Sequence, residues 1–256
     1  MPVTNNGMHY QEQGMGARTI VLLPGFGCSI ACWAEVAPHL DGFRVILMDL
    51  PGHAGSTSAT ADGDLRGLAD TVFDACSEIG LDHYVVSGLS LGGAMALRLA
   101  LDHPDEVTGV IGVMPWNAGG TTSGEDAGVK AFHDAFADLD AIKAGVAAIS
   151  QVPEKTTDLV QTMPTVTEQM WRGWLGGGTY TSMADELPSL RVPALYLVGG
   201  HDFVVELHKQ IEDVRSIPGA KLVMIADAGH LACYEDPETV AFEMSHFLDR
   251  HVPAAV

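Results

Sequence analysis

The stretch Ser87-Gly88-Leu89-Ser90-Leu91-Gly92-Gly93 decides the fold of this 256-residue chain. It contains the pattern G-x-S-x-G, with Ser90 at its centre. A β-rich apolar run precedes the pattern and a helix-forming run follows it, which is the setting that holds a serine on a sharp strand-to-helix turn. The small flanking residues leave room for that turn. The helix N-terminus then offers N–H groups that favour a developing negative charge. The sequence therefore predicts that Ser90 is a nucleophile.

Apolar runs alternate with helical patterns on both sides of this stretch. Such runs are typical of strands covered on both faces of a parallel sheet. We predict strands at 17–23, 43–48, 83–88, 107–114, 194–199 and 220–225. Residues 8–13 are a candidate for an extra antiparallel edge strand. Helices are predicted at 31–40, 64–80, 91–102, 206–216 and 236–250. The alternation indicates right-handed crossovers and a doubly wound, mostly parallel α/β sheet.

One long connection interrupts this alternation. Roughly 80 residues separate Met114 from Ala194, far more than a crossover needs. Helical patterns lie within it at 125–150 and at 165–175, the second ending at three consecutive glycines. We therefore predict a helical lid of residues 117–185, inserted into an α/β core made of residues 1–116 and 186–256. The alternative is an ordinary pair of core helices.

The charge of the chain limits its partners. The formal net charge is −20, from 33 acidic and 13 basic residues. A field of this sign repels phosphate backbones and anionic lipid surfaces, so we expect neither a nucleic acid nor a membrane partner. The alternative is that the acidity serves only solubility. A small-molecule substrate and a monomer or homodimer are the expected associations.

The spacing of the cysteines and the length of the apolar runs are typical of a cytoplasmic protein. Cys28 and Cys32 have no second pair at metal-ligand spacing, so we expect no metal. Cys76 and Cys233 lie in apolar stretches and read as small core residues. No apolar run reaches membrane-spanning length, and the first residues lack the pattern of a secretory signal. Free thiols in the cytoplasm are the expectation.

A serine hydroxyl is a poor nucleophile without a base, and histidine is the usual one. The expected chain order in this setting is serine, then acid, then histidine. Among 11 histidines, His230 directly follows the last predicted strand. It should therefore lie at the carboxyl edge of the sheet, beside Ser90. His201, after the penultimate strand, is the rival, whereas His246 and His251 lie in the last helix and the tail.

The acid that orients the histidine should also lie at this edge. Asp202 ends the penultimate strand and precedes His230 by 28 residues. Asp227 competes, but it is so close to His230 in sequence that a good orienting geometry is hard to reach. Glu206 is a more distant alternative. The loop after the strand at 107–114 begins Pro115-Trp116-Asn117 and offers no carboxylate, which favours Asp202.

Two backbone N–H groups should stabilise the oxyanion of an acyl-transfer reaction. One is the N–H of Leu91, directly after the serine, and the other is the N–H of Phe26 in the loop Pro24-Gly25-Phe26-Gly27. Large apolar residues in or beside the lid are candidates for the substrate pocket. They are Trp116, Met163, Met170, Trp171 and Trp174. The alternative is that this stripe packs the lid onto the core.

Five motifs together resemble the α/β-hydrolase family. They are LLPGFG (22–27), DLPGHAGS (49–56), SGLSLGG (87–93), LVGGHD (197–202) and ADAGHL (226–231). The layout is similar to the lid-bearing branch of serine esterases and lactonases, which includes carboxylesterases, enol-lactonases and acyl-homoserine lactonases. The resemblance implies an α/β-hydrolase fold and a cofactor-free mechanism, in which Ser90 is acylated and His230 relays the proton.

Some residues depart from the family pattern or narrow it. Pro24 stands where many members have histidine, and Ala54 stands where glycine is common. Asp49 and His53 are predicted to be structural. The resemblance excludes dehalogenases and epoxide hydrolases, because both use aspartate in place of Ser90.

Three functions follow as hypotheses. The first is hydrolysis of a small neutral or apolar carboxylic ester or lactone, and the second is a C–C bond or thioester hydrolase with the same triad. The third is a ligand-binding receptor that uses the pocket without turnover.

Overall fold

The computed structural model describes residues 2–60, 62–121 and 127–252. Its strands are β1 (Tyr10–Gln13), β2 (Arg18–Leu23), β3 (Phe43–Met48), β4 (Tyr84–Leu89), β5 (Val107–Val113), β6 (Ala194–Gly199) and β7 (Lys221–Ile225). The core helices are α1 (Leu65–Glu78), α2 (Leu91–Asp102), α7 (Leu207–Ser216), α8 (Ala232–Glu235) and α9 (Pro237–His251). Between β5 and β6 lie α3 (Ala127–Asp134), α4 (Leu139–Ile149), α5 (Thr157–Thr162) and α6 (Glu168–Gly176).

The seven strands form one sheet in the order β1-β3-β2-β4-β5-β6-β7. β1 pairs antiparallel with β3, and all other neighbours are parallel. The predicted α/β-hydrolase fold, with its mostly parallel sheet and antiparallel edge strand, is confirmed. β2 and β4 are neighbours although β3 lies between them in sequence, so the direction of winding changes there. Crevices that bind ligands form at the carboxyl ends of strands at such a point.

The strands at this point are almost entirely buried. All six residues of β4 and the last four of β2 are buried. Their side chains therefore contribute to the core on both faces of the sheet, as the unbroken apolar runs predict. The loops that leave the carboxyl ends of β2 and β4 start from a rigid base, which positions the residues that follow.

The helix predicted at 31–40 is wrong. The structure has two short 3-10 helices instead, Ile30–Trp33 and Ala37–His39. Pro38 lies at the start of the second and has no N–H to donate, so a continuous helix cannot run through it. Ser29 caps the first of them, since its hydroxyl accepts from the N–H of Ala31.

The helical pattern at 125–150 contains two helices, not one, and its first two residues lie outside the described part of the chain. The break between α3 and α4 lies at Ala137, which has a φ of 63°. Asp138 then caps α4 by accepting from the N–H groups of Asp140 and Ala141. The bounds of a lid at residues 117–185 stay a prediction.

The helices and the cysteines have two further properties. Within the described residues, no helix has both the length and the apolar character needed to cross a bilayer. The four cysteines are free and buried.

Candidate active site

Ser90 occupies the strained turn between β4 and α2. Its φ is 52° and its ψ is −114°, a region that non-glycine residues rarely adopt. A Cβ atom at Gly92 would lie 2.3 Å from the carbonyl oxygen of Pro24, and one at Gly88 would lie 2.1 Å from the carbonyl carbon of Gly92. The turn therefore tolerates no side chain at either glycine. The tight turn aims the serine hydroxyl away from the sheet.

His230 reaches Ser90 from the loop after β7. Its Nε2 lies 3.0 Å from Ser90 Oγ, within hydrogen-bond distance. His230 is 5% exposed, so its neighbours hold the orientation of the ring. In this position Nε2 can accept the proton that the hydroxyl loses when it attacks a carbonyl.

Asp202 holds the other side of the imidazole. Its Oδ2 lies 2.9 Å from His230 Nδ1, and its side chain is 3% exposed. Oδ1 accepts from the N–H groups of Val204, at 2.8 Å, and Val205, at 3.2 Å. Both oxygens are therefore fixed, and the carboxylate is aligned to stabilise a protonated imidazole.

The structure does not bring the rival residues to Ser90. His201 and Asp227 are exposed at the surface. Glu206 is half-exposed and pairs with Lys209 and His208. His246 and His251 lie in α9, against the rings of Phe242 and Phe247.

The two backbone groups predicted for the oxyanion belong to the residue directly after Ser90 and to the loop after β2, whose Phe26 lines the same cavity as Ser90. Leu91 is the first residue of α2, and Phe26 lies in the turn closed by the Cys28 N–H on the Gly25 carbonyl, at 3.1 Å. Within the described residues, no protein acceptor takes the N–H of Phe26 or of Leu91. Both N–H groups are therefore available to a negatively charged oxygen.

A cavity of about 360 Å³ opens onto Ser90 and His230. Three of the predicted pocket residues line it: Trp116, Met163 and Trp174. Its walls are mostly apolar. Apart from the Cys28 thiol, the polar side chains among the described lining residues are those of Ser90, Thr179 and His230. The cavity therefore suits an uncharged, largely apolar molecule.

Two of the predicted pocket residues do not line this cavity. Met170 and Trp171 are buried in the packing of α6 against its neighbours. The Trp171 Nε1 donates to the carbonyl of Phe132 at 3.0 Å, so its indole faces α3 and the core. Helical spacing predicts that both residues are buried, but it does not say what buries them.

Other cavity residues were missed by the sequence analysis. Val129 and Phe132 of α3, Ile149 of α4 and Leu159 of α5 contribute apolar walls. Phe203 directly follows Asp202 and is 65% exposed, so it lies at the mouth. Their periodic apolar pattern is visible in the sequence, but the pattern does not predict which of these side chains face a cavity.

Asp49 organises the core below the site. Its carboxylate accepts from the N–H groups of Ile30 and Gly55 and lies 2.6 Å from His9 Nδ1. His53 is fully buried, and its Nδ1 lies 2.9 Å from the carbonyl oxygen of Pro51. Burial lowers the pKa of His53 to about 4, so its ring is neutral at neutral pH. Both residues hold loops together, in keeping with the predicted structural role.

Asp213 of α7 anchors the loop that carries Trp116. Its Oδ2 accepts from the N–H of Ala118 at 2.9 Å, and the neighbouring Gln210 donates to the carbonyl of Pro115. Burial raises the pKa of Asp213 from 3.8 to about 6, which the hydrogen bond from Ala118 only partly offsets. Ionisation of this carboxyl therefore lowers the stability of the folded state as pH rises through about 6. Below 3.8, the ordinary pKa of the group, the carboxyl is mostly protonated in both the folded and the unfolded state, and this loss of stability is absent.

We expect the substitution Asp213→Asn to raise the melting temperature at pH 8, because the amide removes a buried charge and keeps an acceptor for Ala118. The pKa shift sets an upper limit of about 3 kcal/mol on the gain. The gain should shrink toward zero near pH 4, where Asp213 is protonated in the folded protein. Thermal unfolding followed by circular dichroism between pH 4 and 8 measures it. Asp105→Asn, at an exposed position, is the control, and a lower melting temperature of Asp213→Asn at pH 8 would contradict the prediction.

The chain belongs to the α/β hydrolase fold family, whose model matches residues 18–237. It is 28% identical over 240 residues to a dihydrolipoyllysine-residue acetyltransferase component of the acetoin cleaving system from Cupriavidus necator, covering 89% of this chain. The chain spans 63% of that relative and 66% of its Pseudomonas putida counterpart.

Other relatives match along most of their length. A 2-hydroxy-6-oxononadienedioate/2-hydroxy-6-oxononatrienedioate hydrolase from Pseudomonas sp. is 24% identical, with 96% of this chain and 93% of that protein covered. A pimeloyl-[acyl-carrier protein] methyl ester esterase from Vibrio vulnificus is 25% identical, with 94% and 97% covered.

Solved structures share the fold. The enol-lactonase from Burkholderia xenovorans LB400 superimposes with a TM-score of 0.85 at 22% identity, covering 94% of this chain and 96% of that one. A thermophilic esterase from Thermogutta terrifontis gives a TM-score of 0.83 at 25% identity, covering 95% and 93%.

Proposed function

We propose that this protein is a serine hydrolase that cleaves an uncharged carboxylic ester or lactone through an acyl-enzyme on Ser90. The observation that carries the proposal is the hydrogen-bonded series Ser90, His230 and Asp202 at the base of a mostly apolar cavity. The relatives named as hydrolases and esterases support the class of reaction.

The proposed reaction has two halves. Ser90 Oγ attacks the carbonyl carbon while His230 Nε2 takes its proton, and Asp202 stabilises the imidazolium. The tetrahedral oxyanion accepts hydrogen bonds from the N–H groups of Phe26 and Leu91. Collapse breaks the ester bond, and His230 gives its proton to the leaving alcohol, which stays attached to the acyl chain when the substrate is a lactone.

In the second half, water attacks the acyl carbon and His230 removes its proton. The second tetrahedral intermediate collapses and returns the proton to Ser90 Oγ, which releases the carboxylic acid. No step requires a cofactor or a metal. Within the described residues, no cluster of three or more His, Cys, Asp or Glu side chains is arranged to hold a metal ion.

The lining of the cavity favours an uncharged substrate over a dicarboxylate. One relative's name specifies a dioate, a molecule with two carboxylates. Among the described lining residues, no lysine or arginine is present to pair with such a charge. Burial of an unpaired carboxylate costs several kcal/mol, and the net charge of −20 adds repulsion. A C–C bond hydrolase of dioates is therefore the weaker candidate.

We expect kcat/KM for p-nitrophenyl butyrate to exceed that for p-nitrophenyl hemisuccinate by about 100-fold or more, a difference of about 2.7 kcal/mol. The two esters are close in size and share a leaving group, so they differ mainly in the terminal carboxylate. Initial rates of p-nitrophenolate release at pH 7.5 measure both, after subtraction of the rate without enzyme.

Three outcomes would contradict the proposal. Equal rates for the two esters would remove the argument from the cavity. Faster cleavage of a dienol dioate than of any ester would favour the C–C bond hydrolase. Tight binding of these esters with no turnover would favour the receptor.

A further inference from the structure

The ring of Phe26 is held between two other rings. Phe26 lies between Gly25 and Gly27, in a turn closed by the hydrogen bond from the Cys28 N–H to the Gly25 carbonyl. Its ring packs edge-on against His53, with centroids 5.4 Å apart, and against Trp171, with centroids 5.2 Å apart. The N–H of the same residue is the proposed oxyanion donor, so the two ring contacts act together with the turn on the direction of that donor.

Trp171 is itself fixed from the opposite side. Its indole is 1% exposed, and Nε1 donates to the carbonyl of Phe132 at 3.0 Å and lies 3.3 Å from that of His133. The Phe136 ring packs against it, with centroids 5.8 Å apart. One side chain therefore joins the end of α3 to the ring of Phe26.

The helix that carries Trp171 rests directly on the core. The N–H of Thr167 donates to the carbonyl of Gly52 at 2.9 Å, just before α6 begins. A Cβ atom at Gly173 would lie 1.8 Å from the carbonyl oxygen of Asp62, so the backbones of the helix and a core loop touch. The position of Trp171 is therefore set by the core, and the indole cannot shift freely.

We propose that Trp171 is a positioning residue that holds the Phe26 N–H in place for the oxyanion and links it to α3. This proposal rests on the proposed function. Val129 and Phe132 of α3 line the cavity, and the carbonyl of Phe132 accepts from Trp171 Nε1. A substrate that contacts α3 is therefore connected to Phe26 through the indole of Trp171. Trp171 touches neither the cavity nor Ser90, so its effect should appear in the chemical step and not in substrate binding.

The test replaces the indole by a smaller side chain. We expect Trp171→Leu to lower kcat for p-nitrophenyl butyrate by about 10-fold to 50-fold, which is less than the loss caused by removing an oxyanion donor altogether. KM should change by less than about threefold. Affinity for butylboronic acid, whose adduct on Ser90 places an oxygen in the oxyanion site, should fall by the same factor. Binding of butyl methyl ether, an unreactive ligand, should not change.

Further variants separate positioning from folding. Trp171→Phe keeps a ring against Phe26 and should restore most of kcat. Phe26→Leu should reproduce the defect, and the double variant should be no worse than either single one. The Phe26→Leu measurement also keeps the proposal open to contradiction where Trp171→Leu does not fold. Gln169→Ala, at an exposed position of α6, is the control and should keep wild-type kinetics.

Two results would overturn the proposal. A rise in KM with kcat unchanged would show that Trp171 serves substrate binding. Unchanged boronate affinity in both Trp171→Leu and Phe26→Leu would show that neither ring positions the donor. Failure of the proposed function looks different, since the wild-type protein would then neither cleave the ester nor be labelled at Ser90 by a fluorophosphonate.

Discussion

Replacing Ser90 by alanine should lower kcat for p-nitrophenyl butyrate by about 10⁴-fold or more, because the Ser90 hydroxyl is the one that His230 can activate among the described residues that line the cavity. Ser90 Oγ makes its hydrogen bond to His230, and the backbone at Ser90 bonds to Val113 and Ala94 independently of the side chain. The fold should therefore persist. The melting temperature and KM should stay close to the wild-type values.

Steady-state rates and covalent labelling measure this effect together. A fluorophosphonate should label the wild-type protein once, at Ser90, and should not label Ser90→Ala, as seen by intact mass spectrometry. The control is His201→Gln, at an exposed position, which should retain both activity and labelling. Full esterase activity in the alanine variant would refute the assignment of the nucleophile.

Replacing Asp202 by asparagine should lower kcat by about 10³-fold to 10⁴-fold. The amide keeps the size of the side chain, but it can donate to His230 Nδ1 and so favours the tautomer whose Nε2 carries a hydrogen. That tautomer cannot accept the proton of Ser90. Loss of the carboxylate also removes the charge that stabilises the imidazolium, so the defect should appear in kcat at all pH values from 6 to 9.

The matched control for Asp202 is the nearest competing carboxylate. Asp227→Asn, at an exposed position near His230 in sequence, should leave kcat within about twofold of wild type. The two variants are compared by kcat/KM and by melting temperature, because Asp202 also accepts from two backbone N–H groups. A large loss in Asp227→Asn with none in Asp202→Asn would reverse the assignment.

Much of the site could be predicted from sequence because its chemistry is tied to topology. The glycines around Ser90 reflect a local steric requirement, which is readable in a few letters. Asp202 and His230 lie far from it in sequence, but each follows a buried strand of a parallel sheet. Strands that run in the same direction end at the same edge, so the three side chains had to converge there.

The helices between β5 and β6 were less predictable because a helical pattern reports burial without naming a partner. Met170, Trp171 and Trp174 share the spacing of one face, yet only Trp174 lines the cavity. One face of α6 covers both the cavity, through Trp174, and the Phe26 ring, through Trp171. Which residue contacts which depends on tertiary packing. The break at Ala137 was missed for a related reason, since alanine is a strong helix former and only the Asp138 N-cap marks the start of a new helix.

The proposed reacting groups and the cavity walls lie in different segments of the chain, which has an evolutionary consequence. The groups proposed to react follow β2, β4, β6 and β7, whereas several walls of the cavity belong to α3, α4 and α5. In the proposed reaction, mutations at Val129, Ile149 or Leu159 would therefore alter which acyl groups fit without displacing Ser90, His230 or Asp202. A lineage with this arrangement can exchange one substrate for another through a few apolar substitutions and retain its rate of turnover. Trp171 marks where that independence ends, since its indole contacts the end of α3 on one side and the ring of Phe26, the proposed oxyanion donor, on the other.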